Sequence, residues 1–281
     1  MTANPTPSIA IIIPARYAST RFPGKPLAKI GGKTMLERVV HLARYASIDF
    51  PNIGVCVATD HPQIQKHCKQ IDVPSVLTDP RCATGSDRAL ASLKGIKDKP
   101  DFILNLQGDA PFTEPMAVKR IIEAFLENPK HEVITPIHRL SWSDLDRLRE
   151  NKKTTPFSGT TAIVDETGRA LWFSKNILPA IRNEKELREQ GQFSPVNQHI
   201  GLYGYRTDIL EKFCHSKPSR YETLEGLEQL RLLENGIKVQ TVEIELLPGR
   251  IQSGIDTAED VERAEANIRR FGDPINEQRM L

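Results

Sequence analysis

The sequence predicts an α/β fold: a mostly parallel sheet flanked by helices, with a smaller mixed α/β subdomain built from the second half. Three observations carry this. The run Ile9-Ala10-Ile11-Ile12-Ile13 is apolar and does not alternate with polar residues, as expected of a strand buried on both faces. Similar runs recur at 53–58 and 102–106, and helical patterns separate them, giving βαβ units. Polar clusters at 15–25, 59–60 and 107–109 follow these runs directly, at the carboxyl ends of strands where open α/β sheets bind ligands.

The first strand stops at Pro14, and residues 15–33 form a loop rich in Arg, Lys, Pro and Gly. Thr34 and Glu37 stand at capping-box spacing before a helix that carries Met35, Leu36, Val39, Val40 and Ala43. Ile53 to Ala58 is the next strand, and after Thr59-Asp60 a helix runs to about Gln70. Val73 to Leu77 reads as a short strand, 84–96 as a helix and Phe102 to Leu106 as a strand; Thr113 starts a helix reaching about Glu127. In the second half, Val133 to Ile137 is a strand and 141–151 a helix. Thr160 to Val164 and Ala170 to Phe173 flank the turn Asp165-Glu166-Thr167-Gly168, as in a hairpin. Ile200 to Tyr205 reads as a strand with His199 at its start. Ser219 and Glu222 cap one helix that carries Leu224, Leu227, Leu230 and Leu233 to about Gly236. Val239 to Ile244 is a strand, and 257–271 a last amphipathic helix. With no repeat, low-complexity tract or linker, residues 1–281 read as a single domain, divisible near 130 and 250.

Charge and composition exclude several classes. The 38 basic and 36 acidic residues leave a formal net charge of +2, too little to argue for nucleic acid or a membrane surface as partner. No stretch approaches the roughly 20 apolar residues of a membrane helix. Met1 to Ser8 is polar and lacks the basic start and apolar run of a secretory signal. Cys56, Cys68, Cys82 and Cys214 form no C-x-x-C pair and have no histidine at zinc-ligand spacing, so reduced thiols in a cytoplasmic protein are expected.

The segment Pro14 to Leu27 is the most informative. Arg16, Arg21 and Lys25 lie in one loop directly after a buried strand, with Gly24 permitting close backbone approach. Such a set suits a nucleoside triphosphate: arginine grips phosphate oxygens in a fork and lysine supplies a point charge. Gly32-Lys33-Thr34 is not a Walker A motif, because Leu27 stands where that motif needs glycine, and no G-x-G-x-x-G follows the first strand. Gln107-Gly108-Asp109 ends a buried strand with a carboxylate, and Asp256 just precedes the last helix. Mg²⁺ takes one or two carboxylates together with phosphate oxygens and water, so these aspartates are candidate metal ligands. Taken alone, Asp256 fits an ordinary helix N-cap equally well.

Several blocks resemble the cytidylyltransferases that activate acidic sugars, nearest to the 3-deoxy-manno-octulosonate (Kdo) cytidylyltransferase, or CMP-Kdo synthetase, family. They are Ile13 to Leu27, Val57-Ala58-Thr59-Asp60, Thr84-Gly85-Ser86-Asp87-Arg88 and Asn105-Leu106-Gln107-Gly108-Asp109. The match resumes at His199 to Tyr205, Leu227-Glu228-Gln229-Leu230-Arg231 and Gly254 to Asp260, in family order over nearly the whole chain. The resemblance implies a Rossmann-like nucleotidyltransferase sheet with a nucleotide-binding half (about 1–130), an acceptor and dimerisation subdomain (about 131–250) and a metal-ligand loop with a C-terminal helix (about 251–281). It implies CMP transfer from CTP to Kdo or a variant such as the 8-amino form, with release of pyrophosphate. Mg²⁺ is the implied cofactor, and a homodimer in lipopolysaccharide synthesis the implied setting.

Residue by residue, the resemblance makes Arg16, Lys25 and Asp109 catalytic and Asp109 and Asp256 the metal ligands. Ala15, Arg16, Arg21, Lys25, Thr84, Gly85, Ser86, Asp87, Arg88 and Gln107 would bind nucleotide. Gln107, Lys175, Arg182, His199, Tyr203, Glu228 and Gln229 would bind the acceptor. Without the resemblance, His199 fits a packing role, Glu228 and Gln229 a solvated helix face, and Asp87 with Arg88 a surface ion pair. Departures from the family fall on the acceptor side: Ala110 replaces an acidic residue, 154–162 replaces an Asn-Pro-Asn stretch, and Lys175 stands in Phe173-Ser174-Lys175 where arginine is usual. Lys152, Lys153, Lys175 and Arg182 form an alternative anion-binding set for a phosphonate acceptor. A non-catalytic nucleotide-binding relative is the alternative from another class.

Overall fold

All seven residues of β1 (Ile9–Ala15) are buried, because both faces of this strand carry a helical layer. The computed structural model describes residues 7–18, 22–246 and 254–277. After β1 come the short hairpin β2 (Lys29–Ile30) and β3 (Lys33–Thr34), then α1 (Met35–Ala46), β4 (Gly54–Thr59), α2 (Pro62–Gln70), β5 (Ser75–Leu77), α3 (Gly85–Ser92), β6 (Phe102–Asn105) and α4 (Pro115–Glu127). The second half gives β7 (Val133–Ser141), α5 (Trp142–Thr154), β8 (Thr161–Val164), β9 (Ala170–Ser174), α6 (Glu184–Gln190), β10 (Phe193–His199) and β11 (Tyr203–Arg206). It ends with α7 (Thr207–His215), α8 (Arg220–Glu225), α9 (Gln229–Glu234), β12 (Val239–Glu243), α10 (Ala258–Phe271) and α11 (Pro274–Glu277).

One large sheet runs in the order β5-β4-β1-β6-β11-β7-β10-β8-β9, with β12 beside β7. β5, β4, β1 and β6 are parallel, as the βαβ pattern requires. β11 enters antiparallel between β6 and β7 and joins the halves, so the second half continues the same sheet. β8 and β9 form the expected hairpin, with Thr161 opposite Ser174.

Side-chain alternation explains the unbroken apolar run. Ile11 and Ile13 pack with Leu36, Val39, Leu104 and Ile121 on one face. Ile12 packs with Ala58, Ala89, Ile103 and Leu210 on the other. At Gly204 a Cβ would lie 2.3 Å from the Phe102 ring, so only glycine lets β11 approach β6 this closely.

Three expectations need correction. Residues 200–205 are not one strand: β10 ends at His199, the chain turns, and β11 begins at Tyr203. His199 therefore closes a strand instead of opening one. The helix expected to run from Ser219 to Gly236 is two, α8 and α9, broken at Gly226 with φ of +64°. Leu224, placed on its apolar face by the periodicity, is 69% exposed.

Candidate active site

Lys25 is the centre of the site. Gly24, at φ 72°, turns the chain into a short 3-10 segment, Lys25–Leu27, with Pro26 stiffening its start. This buries Lys25 and aims its ammonium at two carboxylates: Nζ lies 2.8 Å from Oδ2 of Asp109 and 3.0 Å from Oδ1 of Asp256. Asp109 is carried on the loop after β6, which lies so close to β1 that a Cβ on Gly108 would stand 2.5 Å from the Pro14 carbonyl oxygen. The Asp109 carbonyl accepts the Ile255 N–H at 2.8 Å and thereby draws the 254–257 segment to the same place. Thr257 is the N-cap of α10, and the Asp256 N–H is held by Asp260 Oδ2 at 2.9 Å. The N-cap reading of Asp256 is thus excluded, and its side chain is turned to Lys25.

Around this triad opens a cleft of about 240 Å³, lined among others by Ala15, Arg16, Thr84, Gly85, Gln107 and Glu228. Thr84 caps α3 by accepting the Asp87 N–H at 3.1 Å. A Cβ on Gly85 would come within 3.0 Å of Gln107 Oε1, so glycine keeps the start of α3 flush against Gln107. Three expected nucleotide ligands are otherwise engaged. Asp87 Oδ2 accepts from the Thr84 N–H at 3.1 Å and the Thr84 hydroxyl at 2.9 Å, completing a capping box. The buried Ser86 hydroxyl accepts from Asn105 Nδ2 at 3.3 Å and bonds Tyr205, behind the cleft wall. Arg88 does not pair with Asp87 at the surface. It is buried and donates to Thr78 Oγ1 at 2.7 Å and to Asp60 Oδ2 at 3.1 Å, while lining the cleft. Arg21 lies outside the described residues.

The expected acceptor residues divide. Lys175, His199 and Tyr203 lie along one line of side chains. Lys175 Nζ is 3.3 Å from Thr160 Oγ1, and the Thr160 carbonyl accepts the His199 N–H at 2.9 Å. The His199 ring bonds Thr135 Oγ1 at 2.9 Å through Nε2 and stands 5.4 Å from the Tyr203 ring, which is 5.8 Å from Tyr205. Burial, reinforced by the Lys175 charge, pushes the His199 imidazole down to about 3. Burial also lowers the Lys175 ammonium and raises the Tyr203 phenol well above its ordinary value. Glu228 borders the cleft, and loss of water around its carboxyl raises it above the usual carboxylate range. Gln229, at the start of α9, is buried, whereas Glu228 just before it is exposed, so of these two only Glu228 stands at the solvated surface. Arg182 is exposed, and like Lys175, His199, Tyr203 and Gln229 it lies outside the lining of this cleft, to which only Gln107 and Glu228 of the expected acceptor residues contribute. The alternative anion set is not assembled either: Lys152 Nζ is spent on the carbonyls of Pro156, Ser158, Gly159 and Lys175, and Lys153 pairs with Glu150.

Asp60, which follows a buried strand in the Thr59-Asp60 cluster, is a partner of the cleft-lining Arg88 that the sequence pattern alone did not single out. Cys82 and Ala83 also line the cleft and carry no chemical signature that the sequence could show.

A strand-end cleft that gathers a lysine, an arginine, two aspartates and a helix start defines an α/β nucleotidyltransferase. The cytidylyltransferase family profile matches residues 10–243, and the chain belongs to that family. It is 39% identical over 267 residues to a 3-deoxy-manno-octulosonate cytidylyltransferase of Maricaulis maris, covering 95% of this chain and 99% of that one. It is 35% identical to the protein of that name from Elusimicrobium minutum, covering 92% and 97%. A solved structure of CMP:2-keto-3-deoxy-manno-octonic acid synthetase complexed with CTP superposes with a TM-score of 0.78 at 30% identity, covering 94% of this chain and 99% of that one.

Proposed function

We propose that this enzyme transfers CMP from CTP to Kdo. The anomeric hydroxyl oxygen forms a bond to the α-phosphorus, the bond from that phosphorus to the bridging oxygen breaks, and pyrophosphate leaves with the electron pair. The hydroxyl proton passes to solvent. The observation that carries this reading is the meeting of Lys25, Asp109 and Asp256 at the mouth of a cleft that Arg16 also lines.

Arg16 and Lys25 would bind the triphosphate and offset the charge that develops as pyrophosphate departs. Asp109 and Asp256 fit Mg²⁺ by their chemistry: both are oxygen donors, and one cationic group already reaches both. Among the described residues no cluster of three or more such side chains occurs, so phosphate and water would complete the shell. Bound Mg²⁺ would supply electrostatic stabilisation at the α-phosphate and a lower pKa for the attacking hydroxyl. Lys175, His199, Tyr203 and Glu228 would receive the sugar acid: a polyol needs both donors and acceptors, and its carboxylate a cation.

The exposed apolar side chains Leu171, Phe193, Tyr221 and Leu224 support a homodimer through the second half, which sedimentation velocity would test. The four free cysteines support a cytoplasmic setting; among the described residues no helix is long and apolar enough to cross a membrane.

The test is pyrophosphate release by the purified protein with Mg²⁺, CTP and a panel of Kdo, 8-amino-Kdo, other sugar acids and phosphonates, with the product weighed by mass spectrometry. CMP-Kdo is the expected product. Turnover with a phosphonate alone would overturn the acceptor assignment. Asp109→Ala should lose several orders of magnitude in turnover and keep its fold.

A further inference from the structure

Asp60 follows β4, and its side chain is only 9% exposed. Its two carboxylate oxygens do different work. Oδ1 accepts the Tyr17 N–H at 3.0 Å, and Oδ2 accepts Nη2 of Arg88 at 3.1 Å. Both partners are fixed again on their far sides. The Tyr17 carbonyl accepts the Gly24 N–H at 3.0 Å, which ties Tyr17 to Gly24, and the Tyr17 ring stacks on His61 at 4.0 Å. Arg88 Nη1 donates to the Thr78 hydroxyl, which is itself bonded to the Thr59 carbonyl at 3.1 Å. Arg16 adjoins Tyr17 and Lys25 adjoins Gly24 in the chain, so both cleft cations hang on this tie. Arg88 lines the same cleft from α3.

We propose that Asp60 is a positioning residue for nucleotidyl transfer, registering Tyr17 and Gly24, and with them their chain neighbours Arg16 and Lys25, against the α3 side of the cleft. It touches no reacting atom in this account; it sets where two cations stand relative to the triphosphate. The inference rests on the reading given under Proposed function. A misplacement of about 1 Å between catalytic groups and substrate costs on the order of 100-fold in rate. A buried carboxylate that bonds both a loop N–H and a guanidinium is the means of preventing it here.

The experiment compares wild type with Asp60→Asn and Asp60→Glu. Asparagine keeps one acceptor oxygen and loses the charge facing Arg88. Glutamate keeps the charge but displaces the acceptor by one methylene. Steady-state kinetics with CTP and Kdo, urea unfolding, and hydrogen exchange at the Tyr17 amide are measured on each. For every variant that keeps the wild-type urea midpoint, kcat should fall at least 10-fold, KM for Kdo should stay within about threefold, and the Tyr17 amide should lose protection while those of Ile12 and Ile13 keep theirs. If Asp60→Asn does not fold, Asp60→Glu decides. A folded variant with kcat within twofold of wild type, or an unprotected Tyr17 amide in wild type, overturns the proposal. Wild type that makes no CMP-Kdo refutes the functional reading instead, and the exchange data then decide the tie of Asp60 to Tyr17 alone.

Discussion

The ammonium of Lys25 lies 3.0 Å from Oδ1 of Asp256, a residue 231 positions further along the chain. The same ammonium bonds Asp109, so the two carboxylates share one lysine. Any divalent cation held by both aspartates must compete with that ammonium. Nucleotide phosphates offer the lysine another anionic partner, so metal and nucleotide should enter together. Lys25→Met removes the competitor and leaves two adjacent carboxylates. We expect the variant to bind Mn²⁺ without nucleotide at least 10-fold more tightly than wild type, read by the loss of free Mn²⁺ signal in electron paramagnetic resonance. Its turnover should fall at least 100-fold. Equal Mn²⁺ affinity in the two proteins would show that the lysine does not guard the site.

His199 supplies a prediction about pH. Its folded imidazole is pushed down to about 3, while in the unfolded chain it titrates near 6.5. The unfolded state therefore takes up a proton that the folded state refuses, and stability is lost as pH falls below 6.5. From pH 6.5 to 5 the loss amounts to about 2 kcal/mol. His199→Gln can keep a hydrogen bond to Thr135 and has no such proton uptake. Urea unfolding should show the wild type losing about 2 kcal/mol more than the variant over that interval. The pH–rate profile should keep its shape in the variant, since neutral His199 does not titrate in the working range.

The parts of the site that were legible in the sequence are those set by strand ends. Asp109 stands just beyond the buried run 102–106, and a parallel sheet puts such residues at one edge. Lys25 was legible because three cations crowd one loop beside a glycine that the turn needs. What was not legible depended on side-chain partners. Ser86 and Asp87 sit in a motif that matches the family, yet one hydroxyl turns inward to Asn105 and one carboxylate serves its own helix cap. The leucine spacing from 224 to 233 reads straight through Gly226, but the glycine ends α8, and Arg231 on α9 then reaches back to pair with Glu222 inside the protein. His199 ends a strand because β10 pairs across Ile137 to Ser141, a register that no local pattern encodes.

Glu228 couples stability to function in a separable way. The residue is exposed, yet loss of water around its carboxyl at the cleft edge raises it, so the folded state favours the protonated form. A carboxyl raised on folding contributes stability at low pH, and that contribution is lost as pH rises through its folded value. Glu228→Gln imitates the neutral form and should not suffer the loss. The variant should be more stable than wild type at pH 8, with the difference vanishing near pH 4, as measured by thermal unfolding. If the carboxylate binds the sugar acid, the same variant should raise KM for Kdo at least 10-fold and leave KM for CTP within about threefold. A variant no more stable at pH 8 than at pH 4, relative to wild type, would show that the carboxyl is not strained by loss of water.

A buried ion pair adds to the contacts that tie the C-terminal helices to the nucleotide half. Arg38 on α1 is 1% exposed, and its guanidinium bonds Asp273 at 2.6 Å while lying over the Phe112 ring. Asp273 follows α10, whose first turn carries the backbone that orients Asp256. Removing one partner of a buried pair leaves the other charge without compensation and costs about 3 kcal/mol. Asp273→Asn should therefore lower stability by about 3 kcal/mol in urea unfolding. Adding Arg38→Met removes the stranded charge and should recover at least half of that loss. Because α10 is then held less firmly, the double variant should still show a raised KM for Mg²⁺·CTP. Equal destabilisation in the single and double variants would mean that Asp273 matters through its backbone turn and not through its charge, and a normal KM would separate this anchor from the active site altogether.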